Sequence, residues 1–429
     1  MLTRPASGNH VPGTGKEENS GGTYDNLLLS LFCFLAAFFC YQTVIPLVFP
    51  EMAYFYQMYG NSPGPTLQQV LSAYNIFQPG WYRPTSFFLF PYLLSLNYLN
   101  PAGVVAFNII FFALTCSLVP ILFLPSSDLP TKLLSSAIIL TAPALVAVTY
   151  FPAIDSLHIL FSLFFIKSFA GLVVGHKNLT RSSLLLTFWY LAAVTSKEST
   201  IIIPFLAFLY TIIHNIDRLE RRRLFRKAVS LALPYLLISA AYYWLYMISK
   251  GVLSDPVYTN IPTIHKLPKI LKLLYATLNL HLSIVPGENL PTAGYHQAGN
   301  LTWAAIWLLT TGLVWWRHKK IHPLSQLSFL LILASLYLLY GMAGGHFHHV
   351  FPMMVCLAIL IGRLSTFPEK SVALGIPAPP RSQAFKRTVQ LILVVGLVFS
   401  SNAYIKTSWN MAHTDGSCKL TRPSSMTGN

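Results

Sequence analysis

Residues 27–49 read LLLSLFCFLAAFFCYQTVIPLVF, a run without a single charged side chain. A helix rises about 1.5 Å per residue, so about 20 apolar residues cross the hydrocarbon core of a bilayer. This run is long enough to do so. The core of a secretory signal is shorter and ends at a small-residue cleavage site; no clear site of that kind follows Phe49. The run therefore reads as a retained first span, behind a polar head containing Lys16, Glu17, Glu18 and Asp25.

Runs of the same kind recur at 102–124, 132–150, 156–175, 183–196, 199–214, 228–249, 301–316, 324–343, 350–366 and 389–405. The expected fold is an all-α polytopic membrane protein of about eleven transmembrane helices, within about ten to thirteen. Composition agrees. Across 429 residues, 54% are hydrophobic, 10% are charged and the mean hydropathy is +0.55. A soluble domain carries about 25% charged residues, so a water-soluble body of this size could not clothe its surface. Segment 85–99 is also apolar, but Pro91 and Pro101 bound a short piece better suited to a re-entrant or interfacial path.

The formal charge of +16 would suggest nucleic acid in a soluble chain. In a membrane protein it is first a topology signal, because basic residues crowd cytoplasmic loops. With the N-terminus inside, nineteen of the 29 Lys and Arg residues fall inside, nine outside, and Lys167 within a span. The runs at 218–227, 317–320 and 367–388 share the inside face. No nucleic-acid partner is implied. The expected domains are a cytoplasmic head (1–26), one membrane domain (27–405) and an extracytoplasmic, disordered tail (406–429). Loops 50–84 and 250–300 are the large outer loops, with interfacial helices expected near Pro65 to Phe77 and Ile264 to Leu280. The five cysteines have neither metal-ligand spacing nor a disulfide framework.

Charges at membrane depth are costly and mark function. On the expected outer face, Glu51 follows span one, Asp155 precedes span four, and Lys197 and Glu198 fill the turn between spans five and six. Arg83 and Tyr82 close the first outer loop, and His158 lies one turn beyond Asp155. His346 and His348 belong to a GGHFHH sequence at another outer boundary. Each has a plainer reading. Glu51 could be a headgroup-level loop acid, Asp155 a helix cap, Arg83-Pro84 a helix-start anchor, and Lys197 with Glu198 a solvated turn pair. Tyr82 belongs to an aromatic cluster that could equally be an interfacial belt. The histidines could be purely structural; as functional groups they fit phosphate or substrate contacts better than a metal site, since no His-Glu-x-x-His pattern exists. Walker loop, dinucleotide fingerprint and nucleophile elbow are all absent.

Four short motifs occur in order: Phe49-Pro50-Glu51 opening the first outer loop, Trp81-Tyr82-Arg83-Pro84 closing it, Tyr150 to Asp155, and Thr195-Ser196-Lys197-Glu198-Ser199-Thr200. Over roughly residues 27–215 this order resembles the GT-C class of integral membrane glycosyltransferases, which includes protein O-mannosyltransferases and aminoarabinose transferases. The chain departs from the class in carrying a lone Glu51 where an Asp, often one of a pair, is common.

The resemblance implies an enzyme that moves a sugar, with inversion, from a polyprenyl-phosphate donor to a lipid, polysaccharide or protein acceptor at the extracytoplasmic face. It implies Glu51 as general base with Asp155 as helper or substitute. Arg83 and Lys197 would be phosphate-side cations, Glu198 would orient Lys197, and Tyr82, His158, His346 and His348 would be substrate contacts. No cofactor is fixed; the class leaves room for a divalent cation. The expected location is a bacterial inner membrane, with the endoplasmic reticulum as the alternative. Two other readings stay open: a transporter or flippase, for which matching broken-helix repeats should exist and none is found, and a non-catalytic protein that keeps the fold.

Overall fold

A computed structural model describes residues 19–43, 68, 83–86, 101–141, 154–173, 179–216, 219–249, 351–366, 384, 387–399, 401–402 and 405. The described residues are helical apart from short connections, with no strand among them. In chain order the helices are α1 (Asn19–Tyr41), α2 (Pro101–Phe123), α3 (Leu129–Leu140), α4 (Ile154–Val173), α5 (Leu179–Val194), a 3-10 turn (Glu198–Ile202), α6 (Ile203–Asn215), α7 (Arg221–Ser249) and α8 (Phe351–Thr366). A ninth apolar helix, α9, covers Arg387–Phe399.

Five helical segments are long and apolar enough to cross a membrane: Gly22–Tyr41, Ala106–Phe123, Ser156–Val173, Glu198–Asn215 and Arg221–Leu245. Shorter apolar helices occupy Leu129–Leu140, Ser183–Val194, Met354–Arg363 and Arg387–Phe399. The five overlap five of the expected spans, and the four shorter helices overlap four more without, in their described residues, the length to cross by themselves. The spans at 301–316 and 324–343 lie outside the described residues, as do both interfacial helices, the loop 250–300 and the tail. Some boundaries move. The first helix begins within the polar head, at Asn19, and α7 takes in the basic run from Arg221.

The surface pattern fits a lipid bilayer. On α1, Leu29, Cys33, Ala36, Ala37 and Cys40 are buried, while Tyr24, Leu27, Leu31 and Leu35 stay exposed on another face. Comparable exposed apolar stripes run along α5 (Leu184, Phe188, Leu191) and α9 (Ile392, Val395, Phe399). In water such stripes would be a large penalty; acyl chains solvate them at no cost. The buried face of α1 is rich in small residues and α1 packs against α2, whose buried Ala113 and Cys116 are small as well, so the two backbones can approach closely.

Helix ends gather in two sets. In the first, Lys132 at the start of α3 donates to Asn26 Oδ1 of α1 (3.1 Å), and Gln390 of α9 donates to Thr131 Oγ1 (3.1 Å). Asp128 caps α3 by accepting from Thr131 N (3.3 Å), and Arg387 approaches it at 3.5 Å. Lys227 at the start of α7 donates to Val173 O and Asn215 Oδ1, at the C-termini of α4 and α6 (3.1 and 3.3 Å). A cation there complements the negative end of a helix dipole. In the second set, Tyr41 Oη donates to Leu140 O (3.0 Å) and Ser401 donates to Thr141 O, joining the C-termini of α1 and α3 to the end of the chain's last described stretch. The charge count predicts the first set to be inside.

Between these ends, Phe165 of α4, Tyr190 of α5 and Tyr235 of α7 form a ring cluster with centroids 5.0 to 5.8 Å apart. Tyr190 Oη is hydrogen-bonded to Ser239 Oγ, which also reaches Ile201 O in the 3-10 turn (3.2 Å). The aromatic cluster thus holds the turn that carries Glu198.

Candidate functional site: a strapped turn at one end of the bundle

The turn between α5 and α6 is closed by its own backbone. Thr195 N donates to Leu191 O (3.0 Å), and Ser196 N and Lys197 N both donate to Ala193 O (3.1 and 3.2 Å). Lys197 then adopts an extended backbone and the chain re-enters the 3-10 turn, with Thr200 N donating to Lys197 O (3.2 Å). Pro204 in the first turn of α6 suits this entry, because its fixed φ is already that of a helix start. Thr200 Oγ1 adds a donor to Ala193 O (3.2 Å).

Residues 83–86 lie across this turn as a strap. Arg83 Nε donates to Glu198 Oε2 (2.6 Å) and Nη2 to Glu198 Oε1 (2.5 Å), a bidentate pair between residues 115 apart in sequence. The side chains are only 11% and 9% exposed. Thr85 N donates to Thr195 O (3.3 Å), the two threonine hydroxyls meet at 2.8 Å, and Ser86 Oγ donates to Ser196 O (2.9 Å). A planar guanidinium matches a carboxylate in both spacing and direction, which makes this the strongest kind of side-chain pair. Burial removes competing water but requires complete hydrogen bonding, and the fork supplies two of the bonds the carboxylate needs.

The structure therefore brings together Arg83, Lys197 and Glu198. Lys197 is buried beside the pair and its charge acts on Glu198, but the carboxylate's own fork is to Arg83. Asp155 is the second residue of α4, at the end where the sequence places it. His158 is fully buried one turn further along, and its carbonyl accepts from Ser162 Oγ (2.6 Å). Glu51, Tyr82, His346 and His348 lie outside the described residues. Among the described residues, no group of three His, Cys, Asp or Glu side chains could hold a metal ion.

Sequence reasoning did not single out Thr85 and Ser86, and it quoted Thr195 and Ser196 in a motif without giving them a role. Thr-Ser occurs as a dipeptide at 85–86, 195–196 and 407–408, too common to mark the contact, in which Thr85, Ser86 and Thr195 supply hydroxyls and Ser196 its carbonyl. Chemically the strap gives a rigid frame, a bidentate anion–cation pair and a second cation at one end of the bundle. No protein-family model matches the chain, and neither does any curated protein sequence.

Proposed function

We propose that the chain is a membrane glycosyltransferase that moves a sugar from a polyprenyl-phosphate donor to an acceptor hydroxyl at the extracytoplasmic face. The observation that carries this reading is the Arg83–Glu198 fork. It joins the motif that closes the first outer loop to the turn between spans five and six, two of the four motifs that resemble the GT-C class. Asp155, in the third motif, starts a helix that packs against both α5 and α6.

In this reading a carboxylate takes the acceptor's proton while the acceptor oxygen attacks the anomeric carbon. The bond from that carbon to the phosphate oxygen breaks, the lipid phosphate leaves with the electron pair, and the configuration inverts. Glu51 is the base, with Asp155 as helper or substitute. Lys197 meets the charge that grows on the leaving phosphate. Arg83 acts with it, and its fork to Glu198 sets the position of the guanidinium. Tyr82, His158, His346 and His348 are further substrate contacts. A bacterial inner membrane with the N-terminus inside places this end of the bundle on the outer face.

The test uses purified full-length protein, radiolabelled polyprenyl-phosphate sugars and a membrane extract as acceptor source. The expected result is transfer of label that is lost in a Glu51→Gln, Asp155→Asn double variant. Transfer at the wild-type rate by that variant would remove the mechanism, and no transfer from any donor would remove the reaction class.

A further inference from the structure

Helix α7 opens with Arg221, Arg222, Arg223 and Arg226, all exposed, and among the described residues no ion pair engages any of them. Glu220, the acid beside them among the described residues, is exposed as well. At 3.6 residues per turn, Arg222, Phe225, Arg226, Leu233, Leu237 and Trp244 fall within an arc of about 120°. The four apolar members are 61%, 45%, 61% and 64% exposed. The opposite side, with Leu224, Ala228, Tyr235 and Tyr242, is buried against the bundle. Lys227 points between these faces, to the ends of α4 and α6. The outward apolar stripe thus begins in two arginines.

Depth follows from length. The helix has 29 residues, about 44 Å at 1.5 Å per residue, against about 30 Å of hydrocarbon. Its last twenty or so residues cover that thickness, which leaves Arg222 and Arg226 in the headgroup layer on the lipid side. Phe225 lies between them, edge-on to Phe208 at 6.0 Å and otherwise open to the acyl boundary. Cations at this depth, on this face, with no acid engaging them among the described residues, are matched in charge and position by lipid phosphate.

We propose that Arg222, Phe225 and Arg226 form a docking surface for the phosphate of anionic phospholipid headgroups. The two guanidinium groups, one helical turn apart, take the phosphate oxygens, and Phe225 packs on the first methylenes of the acyl chains. The surface is independent of the transfer reaction proposed above and uses none of its residues.

Full-length protein is placed in nanodiscs of equal phosphatidylglycerol and phosphatidylcholine, and lipids retained after release are counted by native mass spectrometry. Wild type should retain phosphatidylglycerol in preference. Arg222→Gln and Arg226→Gln should each lower that retention about fivefold, the effect of one basic residue near an anionic surface. An Arg221→Gln, Arg223→Gln pair, which removes twice the charge of either single variant but from the flanks, should retain it as wild type does. Retention by wild type without preference for phosphatidylglycerol would overturn the proposal. So would unchanged retention in both single variants, or an equal loss in the flank pair, which would reduce the effect to net charge. Co-purifying nucleic acid released by the same substitutions, in place of lipid, would overturn it as well.

Discussion

Replacing Glu198 by Gln keeps the size of the side chain and removes its charge, so it isolates what the fork to Arg83 contributes. Both groups are about nine-tenths buried, and solvent screening is therefore slight. Each charge-assisted hydrogen bond is worth about 1.5–3 kcal/mol net, and breaking a buried pair from one side costs about 3–5 kcal/mol because the partner stays charged and buried. Arg83→Met should cost a similar amount from the other side. With both changed, the buried charges are gone together, and the loss should be no larger than that of either single variant. The coupling energy of the double-mutant cycle should thus be about 3 kcal/mol or more. The assay is unfolding of purified protein in mixed micelles, followed by tryptophan fluorescence, for wild type, both single variants and the double variant. Additive losses, with coupling below about 0.5 kcal/mol, would refute the pairing of Arg83 with Glu198 and the strap with it.

Three further outcomes follow from the packing. A Cβ at Gly362 of α8 would stand 2.3 Å from Leu124 Cδ1, so Gly362→Ala should destabilise by about 1–3 kcal/mol. Leu124→Ala, which opens a cavity of its own, should cost less in the Gly362→Ala background than in the wild type in a thermal melt. Asp128→Ala should cost about 0.5–2 kcal/mol through loss of the α3 cap, with little dependence on salt, since the half-exposed Arg387 contributes a screened pair at most. Ser86→Ala leaves Ser196 O without the hydroxyl that it accepts from and should cost about 1–3 kcal/mol. A hydrogen-exchange measurement should find the loss concentrated in 195–202.

Much of the helical layout was legible because a bilayer imposes one strong condition: backbone groups in hydrocarbon must bond within their own segment. The described uncharged runs are therefore helices, and the motif residues Asp155, Lys197 and Glu198 fall at helix ends. Boundaries were less legible where hydropathy and helix propensity part company. The arginines from Arg221 are poor lipid residues but good helix formers, so α7 begins before its apolar run does. At α1, the polar residues Asn19 to Asn26 continue the helix into a set of inter-helix contacts. The turn at 195–202 was visible as a break, but its 3-10 geometry depends on carbonyl partners at Ala193 and on Ser239 of a different helix.

By itself the sequence determined that the described segments are helical and suited to lipid, and that Asp155, Lys197 and Glu198 stand at helix ends, since these depend on local hydropathy and on the period of one segment. It did not determine which charge meets which. Arg83 and Glu198 are separated by 115 positions, and no local rule favours that pair over Lys197 with Glu198. Tertiary structure decided it, because laying the 83–86 strap across the turn places a planar two-pronged donor against a buried carboxylate. The same packing turned Arg222 and Arg226 toward the lipid side by fixing the opposite face of α7 against the bundle.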